Sequence, residues 1–167
     1  ITNAFKNFNL PLELFAITFL ESSFHPKARS KAGAAGAWQF MPVIAKNLMA
    51  MNRKTDSRMN PVISSVGAMV LLKQNYRLFG RWDLAVTAYN SGIKHIRRAI
   101  KKLGIAKPRL SVVFKNYGHP NMGFASKNFY SEFLALTRVL AYKDIIFPLK
   151  GIKHNTIDGS PRINSNN

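Results

Sequence analysis

Asn9-Leu10-Pro11-Leu12-Glu13-Leu14-Phe15-Ala16-Ile17-Thr18-Phe19-Leu20-Glu21 decides the reading of this chain. Asn9 followed by Pro11 is a helix-start signal, because proline's fixed φ suits the first turn and its missing N–H has no partner to lose there. From Leu12 to Leu20 apolar residues fall on nearly every side of a helical projection, so the spacing predicts a buried helix. Glu21 ends the run and is the only acid between Glu13 and Asp56.

Outward from this segment the chain reads as helices. Pro42 opens a second helix through Val43, Ile44 and Leu48. Asn60-Pro61 repeats the start signal and leads a helix to Phe79, stopped by Gly80. Further helices are expected from Trp82 to Asn90, closed by Gly92, and from Ile93 to Leu103, stopped by Gly104. Lys107 to Ala125, with Pro108, Gly118, Pro120 and Gly123, reads as loop, its one strand signal being Ser111 to Phe114. Ser126 is expected to cap a long helix whose stripe is Phe129, Phe133, Leu136 and Leu140. The expectation is a mostly α chain with a single domain over residues 1–150 and a loose Gly-, Asn- and Ser-rich tail over 151–167.

The 167 residues weigh 18.8 kDa, and 47% are apolar, enough for one core and too many for wholesale disorder. Lys plus Arg number 25 against 7 acids, a net charge of +18. Such an excess calls for an anionic partner: nucleic acid, anionic lipid or an anionic wall polymer. Between Leu84 and Ser131 the basic residues Lys94, Arg97, Arg98, Lys101, Lys102, Lys107, Arg109, Lys115 and Lys127 meet no acid. This is either a solvated face or an anion-attracting one. No apolar run is long enough to span a bilayer. There is no Cys, so disulfides and thiolate metal sites are excluded. His25, His95, His119 and His154 share no metal-ligand spacing, so neither a metal nor a cofactor is expected. The chain opens at Ile1 with no signal-type region and reads as a trimmed or mature fragment whose export signal, if any, has been removed.

A carboxyl carried out of a buried helix is desolvated, which raises its pKa and favours the protonated form at neutral pH. A protonated carboxyl can give its proton to a leaving-group oxygen. The residues leave a second reading open, in which Glu21 simply pairs with Arg29 or Lys31. Around it stand Glu21-Ser22-Ser23-Phe24-His25-Pro26-Lys27-Ala28-Arg29-Ser30, then Gly33-Ala34-Ala35-Gly36-Ala37-Trp38-Gln39-Phe40-Met41-Pro42. Further on come Asn60-Pro61, Phe79-Gly80, Trp82 and Ala88-Tyr89-Asn90-Ser91-Gly92, and a weaker block, Asn128-Phe129-Tyr130. In this order the blocks resemble the signature of the lytic transglycosylases (SLT domains), relatives of goose-type lysozyme, over roughly residues 10–142.

The resemblance implies a lysozyme-like helical domain with a substrate groove. It implies cleavage of the MurNAc-β-1,4-GlcNAc bond of peptidoglycan glycan strands, with Glu21 as catalytic acid. Ser30 and Gln39 would then meet the sugar N-acetyl and ring hydroxyls, Tyr89 and Asn90 would line the cleft, and Tyr130 would stand in for the family's tyrosine. Residue by residue, bland roles exist. Ser30 could cap a turn, Gln39 could satisfy loop backbone, and Tyr89 could be core with its hydroxyl tied off. Trp38 reads as packing.

Most glycosidases place two carboxylates about 5 to 9.5 Å apart. Glu13 is too far, about 12 Å along a helix axis, and Asp56 and Asp83 cannot be placed by sequence. The resemblance implies substrate assistance by the N-acetyl group, with Glu21 then acting as base toward the C6 hydroxyl to give a 1,6-anhydro product. Water in that role would make the chain a true lysozyme. The chain departs from the family at Ala37, at Gly92-Ile93-Lys94, at Ala125-Ser126 where Glu-Thr is frequent, and at Phe129 where Tyr is usual. These positions bear on the acetyl pocket, hence on product type and on acceptance of deacetylated peptidoglycan. The resemblance also implies an exported, envelope or secreted location and docking on an anionic cell-wall surface, and a monomer is expected. The competing reading is a basic nucleic-acid binder. It lacks a zinc spacing, an aromatic strand motif or a recognition helix, so no nucleic acid is expected.

Overall fold

The computed structural model describes residues 2–118 and 122–147. They form α1 (Thr2–Asn7), a 3₁₀ turn (Leu12–Ala16), α2 (Ile17–Ser22), α3 (Pro42–Ala45), a second 3₁₀ turn (Ser57–Met59) and α4 (Pro61–Phe79). Then follow α5 (Trp82–Ser91), α6 (Ile93–Leu103), α7 (Leu110–Asn116), α8 (Phe124–Ala141) and α9 (Lys143–Ile146). Among the described residues there is no strand, only isolated bridges such as Ala35 with Phe40. The expected tail and the domain boundary after residue 150 lie outside the described residues.

The start and stop signals act as read. Asn60 Oδ1 accepts the N–H groups of Val62 and Ile63, with Pro61 at the first turn of α4. Gly80 and Gly104 end α4 and α6 at φ +67°, where a side chain would be strained. α5 sits centrally, packed against α4, α6 and α8. One apolar cluster joins Phe5, Leu14, Ile17, Trp38, Met69 and Phe129. A second, under α6 and α7, joins Leu84, Ile96, Val113 and Met122, and Tyr130 touches both.

Four local expectations are corrected. The run from Leu12 is two elements, a 3₁₀ turn and α2, and Leu12 and Phe19 stay exposed, so burial is one-sided. α3 stops at Ala45, short of Leu48. Ser111 to Phe114 is helical within α7, because Leu110, Val113 and Tyr117 fall on one helical stripe and bury into the second cluster, which outweighs the β-branched preference. Ser126 does not cap α8. The helix starts two residues earlier, and the Ser126 hydroxyl turns to Asn90 instead.

Candidate active site

Glu21 lies in the last turn of α2, partly buried. The helix ends in two successive left-handed residues, Ser23 at φ 51° and Phe24 at φ 60°. Such conformations cost on the order of 1–3 kcal/mol each and persist only where surrounding contacts impose them. Here the Phe24 N–H reaches back to Thr18 O, and Phe24 packs its ring against Phe15. The chain therefore turns sharply just after the carboxylate.

Burial pushes the Glu21 carboxyl up to about 7. It has no ion pair among the described residues, and Arg29 turns to Asp56 instead, at 3.7 Å. The pairing alternative therefore fails. The other acids do not share this environment. Asp56 is held by Arg58 through two guanidinium bonds, which lowers its pKa. Asp83 is held by Arg81 and also accepts the Leu84 N–H at the start of α5. Glu13 and Glu132 are exposed, and Asp144 pairs with Lys143.

The loop between α2 and α3 is clamped from two sides. Ser22 Oγ donates to Ala37 O at 2.8 Å, and the Tyr89 hydroxyl donates to Trp38 O at 2.7 Å. Trp38 itself is fully buried, its indole N–H on Ser65 Oγ, which is the packing role expected. Beneath the loop the buried Arg58 guanidinium donates to Gly33 O and Phe40 O, at 2.9 Å each. At Gly36, φ is +79° and a Cβ would overlap the Arg58 carbonyl, so only glycine fits.

Of the expected site residues, the structure brings Tyr89 beside Glu21: burial, and then the Glu21 charge, push the Tyr89 phenol well up. Asn90 follows it at the end of α5, exposed, with Oδ1 accepting from Ser126 at 3.0 Å. Gln39, at φ 47°, uses its amide nitrogen on Gly36 O at 2.8 Å, within the loop. Ser30 is exposed, and its hydroxyl oxygen accepts the Ala34 N–H at 2.9 Å. Tyr130 is placed differently. It lines a cavity with Arg81 and Asp83 at the opposite end of α5, where burial and the Asp83 charge raise its pKa. Ser22 and Arg58 were not among the sequence candidates. The Glu-Ser pair signalled the first, whereas nothing in the spacing signalled Arg58.

No group of three His, Asp or Glu side chains that could hold a metal occurs among the described residues. No helix among them is long and apolar enough to cross a membrane.

Residues 1–111 match the model of the transglycosylase SLT domain. The chain belongs to the SLT transglycosylase domain family. Membrane-bound lytic murein transglycosylase D of Escherichia coli K12 is 38% identical over 103 residues, 60% of this chain and 23% of that protein. The transglycosylase of Enterobacteria phage PRD1 is 29% identical over 119 residues, 69% of this chain and 43% of that one. This SLT chain thus spans about a quarter of the length of the murein transglycosylase D it matches. In fold it is similar to an inactive variant of the lytic transglycosylase Slt of Pseudomonas aeruginosa, with a TM-score of 0.65 and 23% identity over 87% of this chain and 24% of that one. The soluble lytic transglycosylase of Escherichia coli gives the same TM-score at 20% identity, again over 87% of this chain and 24% of that one. The mostly helical, lysozyme-like SLT fold expected from the sequence is the one observed.

Proposed function

We propose that this SLT domain cleaves peptidoglycan glycan strands as a lytic transglycosylase, with Glu21 as its single catalytic acid. The observation that carries the reading is a partly buried carboxyl, pushed up to about 7 with no cation beside it, at the family's acid position. Such a group holds a proton near neutral pH and can give it to the glycosidic oxygen as the C1–O bond breaks. With Asp56 and Asp83 tied to arginines, the nucleophile falls to the substrate's N-acetyl carbonyl oxygen, which attacks C1. The Glu21 carboxylate then takes the C6 hydroxyl proton while O6 displaces the acetyl oxygen. This closes a 1,6-anhydro ring and returns Glu21 to its protonated form.

Tyr89 fixes the loop beside the acid, and Asn90 presents its exposed amide to the sugar. Ser30 and Gln39 form the loop edge of the groove. The domain acts as a monomer in the periplasm, envelope or outside the cell, on strands attached to an anionic wall.

A lysozyme reading is favoured by one feature. Phe129 is buried and has no hydroxyl, and Ala125 has no carboxyl, so the family's polar groups at these positions are missing. Mass spectrometry of muropeptides released from purified sacculi separates the two. Anhydro-muropeptides are expected from acetylated wall. Reducing ends, with faster cleavage of de-N-acetylated wall, would replace the transglycosylase reading by a lysozyme.

A further inference from the structure

Lys73, Tyr76 and Arg77 share one face of α4 by helical spacing, and Trp82 opens α5 just beyond the Gly80 turn. The Tyr76 and Trp82 rings stack with centroids 4.2 Å apart and planes at 21°. This double plate is not sealed in the core: Tyr76 is 38% exposed and Trp82 is half-buried. It floors a cavity of about 570 Å³, edged by the Asn9–Pro11 segment, Lys73 and Arg77. The same two rings line an adjoining cavity of about 320 Å³ that ends at Arg81, Asp83 and Tyr130. Both volumes fall in the range of small-ligand sites, about 300–1,000 Å³.

The lining sets the ligand chemistry. The aromatic surface that the stacked pair leaves open to the cavities suits the apolar C–H face of a pyranose. Arg81 is neutralised by Asp83 in a two-bond pair. Arg77 has no ion pair among the described residues. Lys73 gives one hydrogen to Phe8 O at 2.8 Å and keeps two donors. Lys73 also sits over the Phe8 ring at 5.9 Å, so Arg77 is the cation beside the rings with no anionic partner among the described residues, and a carboxylate is the group that it and the remaining Lys73 donors hold best. A sugar bearing a carboxylate satisfies both halves of the groove, and a muramyl unit with its stem peptide is one.

We propose that the Tyr76–Trp82 groove is a second, non-catalytic site for a muramyl-peptide unit, with Arg77 and Lys73 holding the peptide carboxylate. Trp82 precedes Tyr89 on α5 by about 10 Å of helix axis, so the site anchors wall material at a distance from Glu21. The choice of ligand rests on the peptidoglycan reading above.

The protein carries its own reporter. It has two Trp, Trp38 in the loop clamped to Tyr89 and Trp82 in the groove, so the part of a fluorescence change that is lost in Trp82→Phe reports on the groove. N-acetylmuramyl dipeptide titrated into the Glu21→Gln protein should give a saturable change with a Kd on the order of 1 mM. The response should vanish in Trp82→Phe and weaken about tenfold in Arg77→Glu or with the neutral diamide of the same ligand. No saturable change up to about 10 Kd of the expected value, or equal binding of the diamide, would overturn the proposal. Release of muropeptides from sacculi by the unmutated protein is measured alongside. Lysis without a fluorescence response overturns the second site alone, and a response without lysis supports it while overturning the catalytic reading.

Discussion

Ser22 and Tyr89 hold neighbouring carbonyls, Ala37 O at 2.8 Å and Trp38 O at 2.7 Å. Ser22 belongs to the end of α2, directly after Glu21, and Tyr89 to the end of α5. Through two adjacent peptide units the carboxylate-bearing turn is therefore fixed to the central helix. Removing the phenol hydroxyl leaves Trp38 O without its partner in a partly buried place. Tyr89→Phe should cost about 1–2 kcal/mol in urea denaturation. It should also slow sacculus cleavage about 10–100-fold, since small displacements of an acid weaken proton transfer. Activity within twofold of the parent would mean that Glu21 is positioned without this clamp.

Glu21 sets a pH dependence of stability as well as of rate. Its pKa rises from 4.5 to about 7 on folding because burial disfavours the charge. Between those values the native protein keeps a proton that the unfolded chain releases, so stability falls as pH rises through this window and levels off above it. The full effect is about 3 kcal/mol. Glu21→Gln should thus be more stable than the parent at pH 8 by up to this amount and equal to it near pH 4, while losing at least ~100-fold in cleavage. In the parent, cleavage limited by the protonated acid should decline above pH 7. Equal melting temperatures of the two proteins across the whole range would show that the carboxyl is not desolvated.

The helices bounded by Asn60-Pro61, Gly80, Gly92 and Gly104 were legible because caps and glycines act locally, within a turn of the residue read. For Glu21 the apolar run ending in a lone acid left two readings, desolvation or an ion pair with Arg29 or Lys31, and only the structure decides for the first, because Arg29 turns to Asp56. α7 was not legible, because Val112-Val113-Phe114 prefers strand by itself and becomes helical only through the pocket that receives Leu110, Val113 and Tyr117. Asp83, earlier in the chain by a whole helix, also accepts the Leu110 N–H at 3.3 Å, a contact no local pattern announces. Ser126 failed for a similar reason: its hydroxyl was assigned to its own backbone, but Asn90 competes for it. Ser30 and Gln39 show the reverse limit. Their backbone roles in the loop are local and were foreseeable, whereas any hold on sugar is set by residues far apart in the chain.

Arg58 carries the loop's underside. It joins Asp56, Gly33 O and Phe40 O while only 5% exposed, so truncating it leaves two loop carbonyls without their donor and Asp56 with only the looser Arg29 contact at 3.7 Å. Arg58→Ala should destabilise by about 3–5 kcal/mol. Gly36→Ala, forced to a positive φ with its Cβ against the Arg58 carbonyl, should cost at least ~2 kcal/mol. Thermal melts of both variants check this, and a loss under about 0.5 kcal/mol in either would show that the loop relaxes freely.

α6 buries Ile96 and Ala99 and turns Arg97, Arg98, Lys101 and Lys102 outward, all exposed. No acid lies between Leu84 and Ser131 to offset them. Exposed charges of this kind act over about 8 Å at physiological ionic strength, so they steer and hold large anionic surfaces and do little for a small soluble glycan. Reversing all four to Glu changes the net charge by −8, from +18 to +10, without touching the buried stripe of the helix. Sacculus binding by the reversed protein should fall at least ~10-fold at low salt, and the difference from the parent should shrink as salt rises. Cleavage of short soluble glycans should stay within about twofold, because Glu21, Tyr89 and the clamped loop are unchanged. Pull-down on sacculi across a salt series, paired with soluble-glycan kinetics, reads both quantities. Parallel losses on the two substrates would move these residues from docking to support of the groove. An unchanged affinity for sacculi would make α6 an ordinary solvated face.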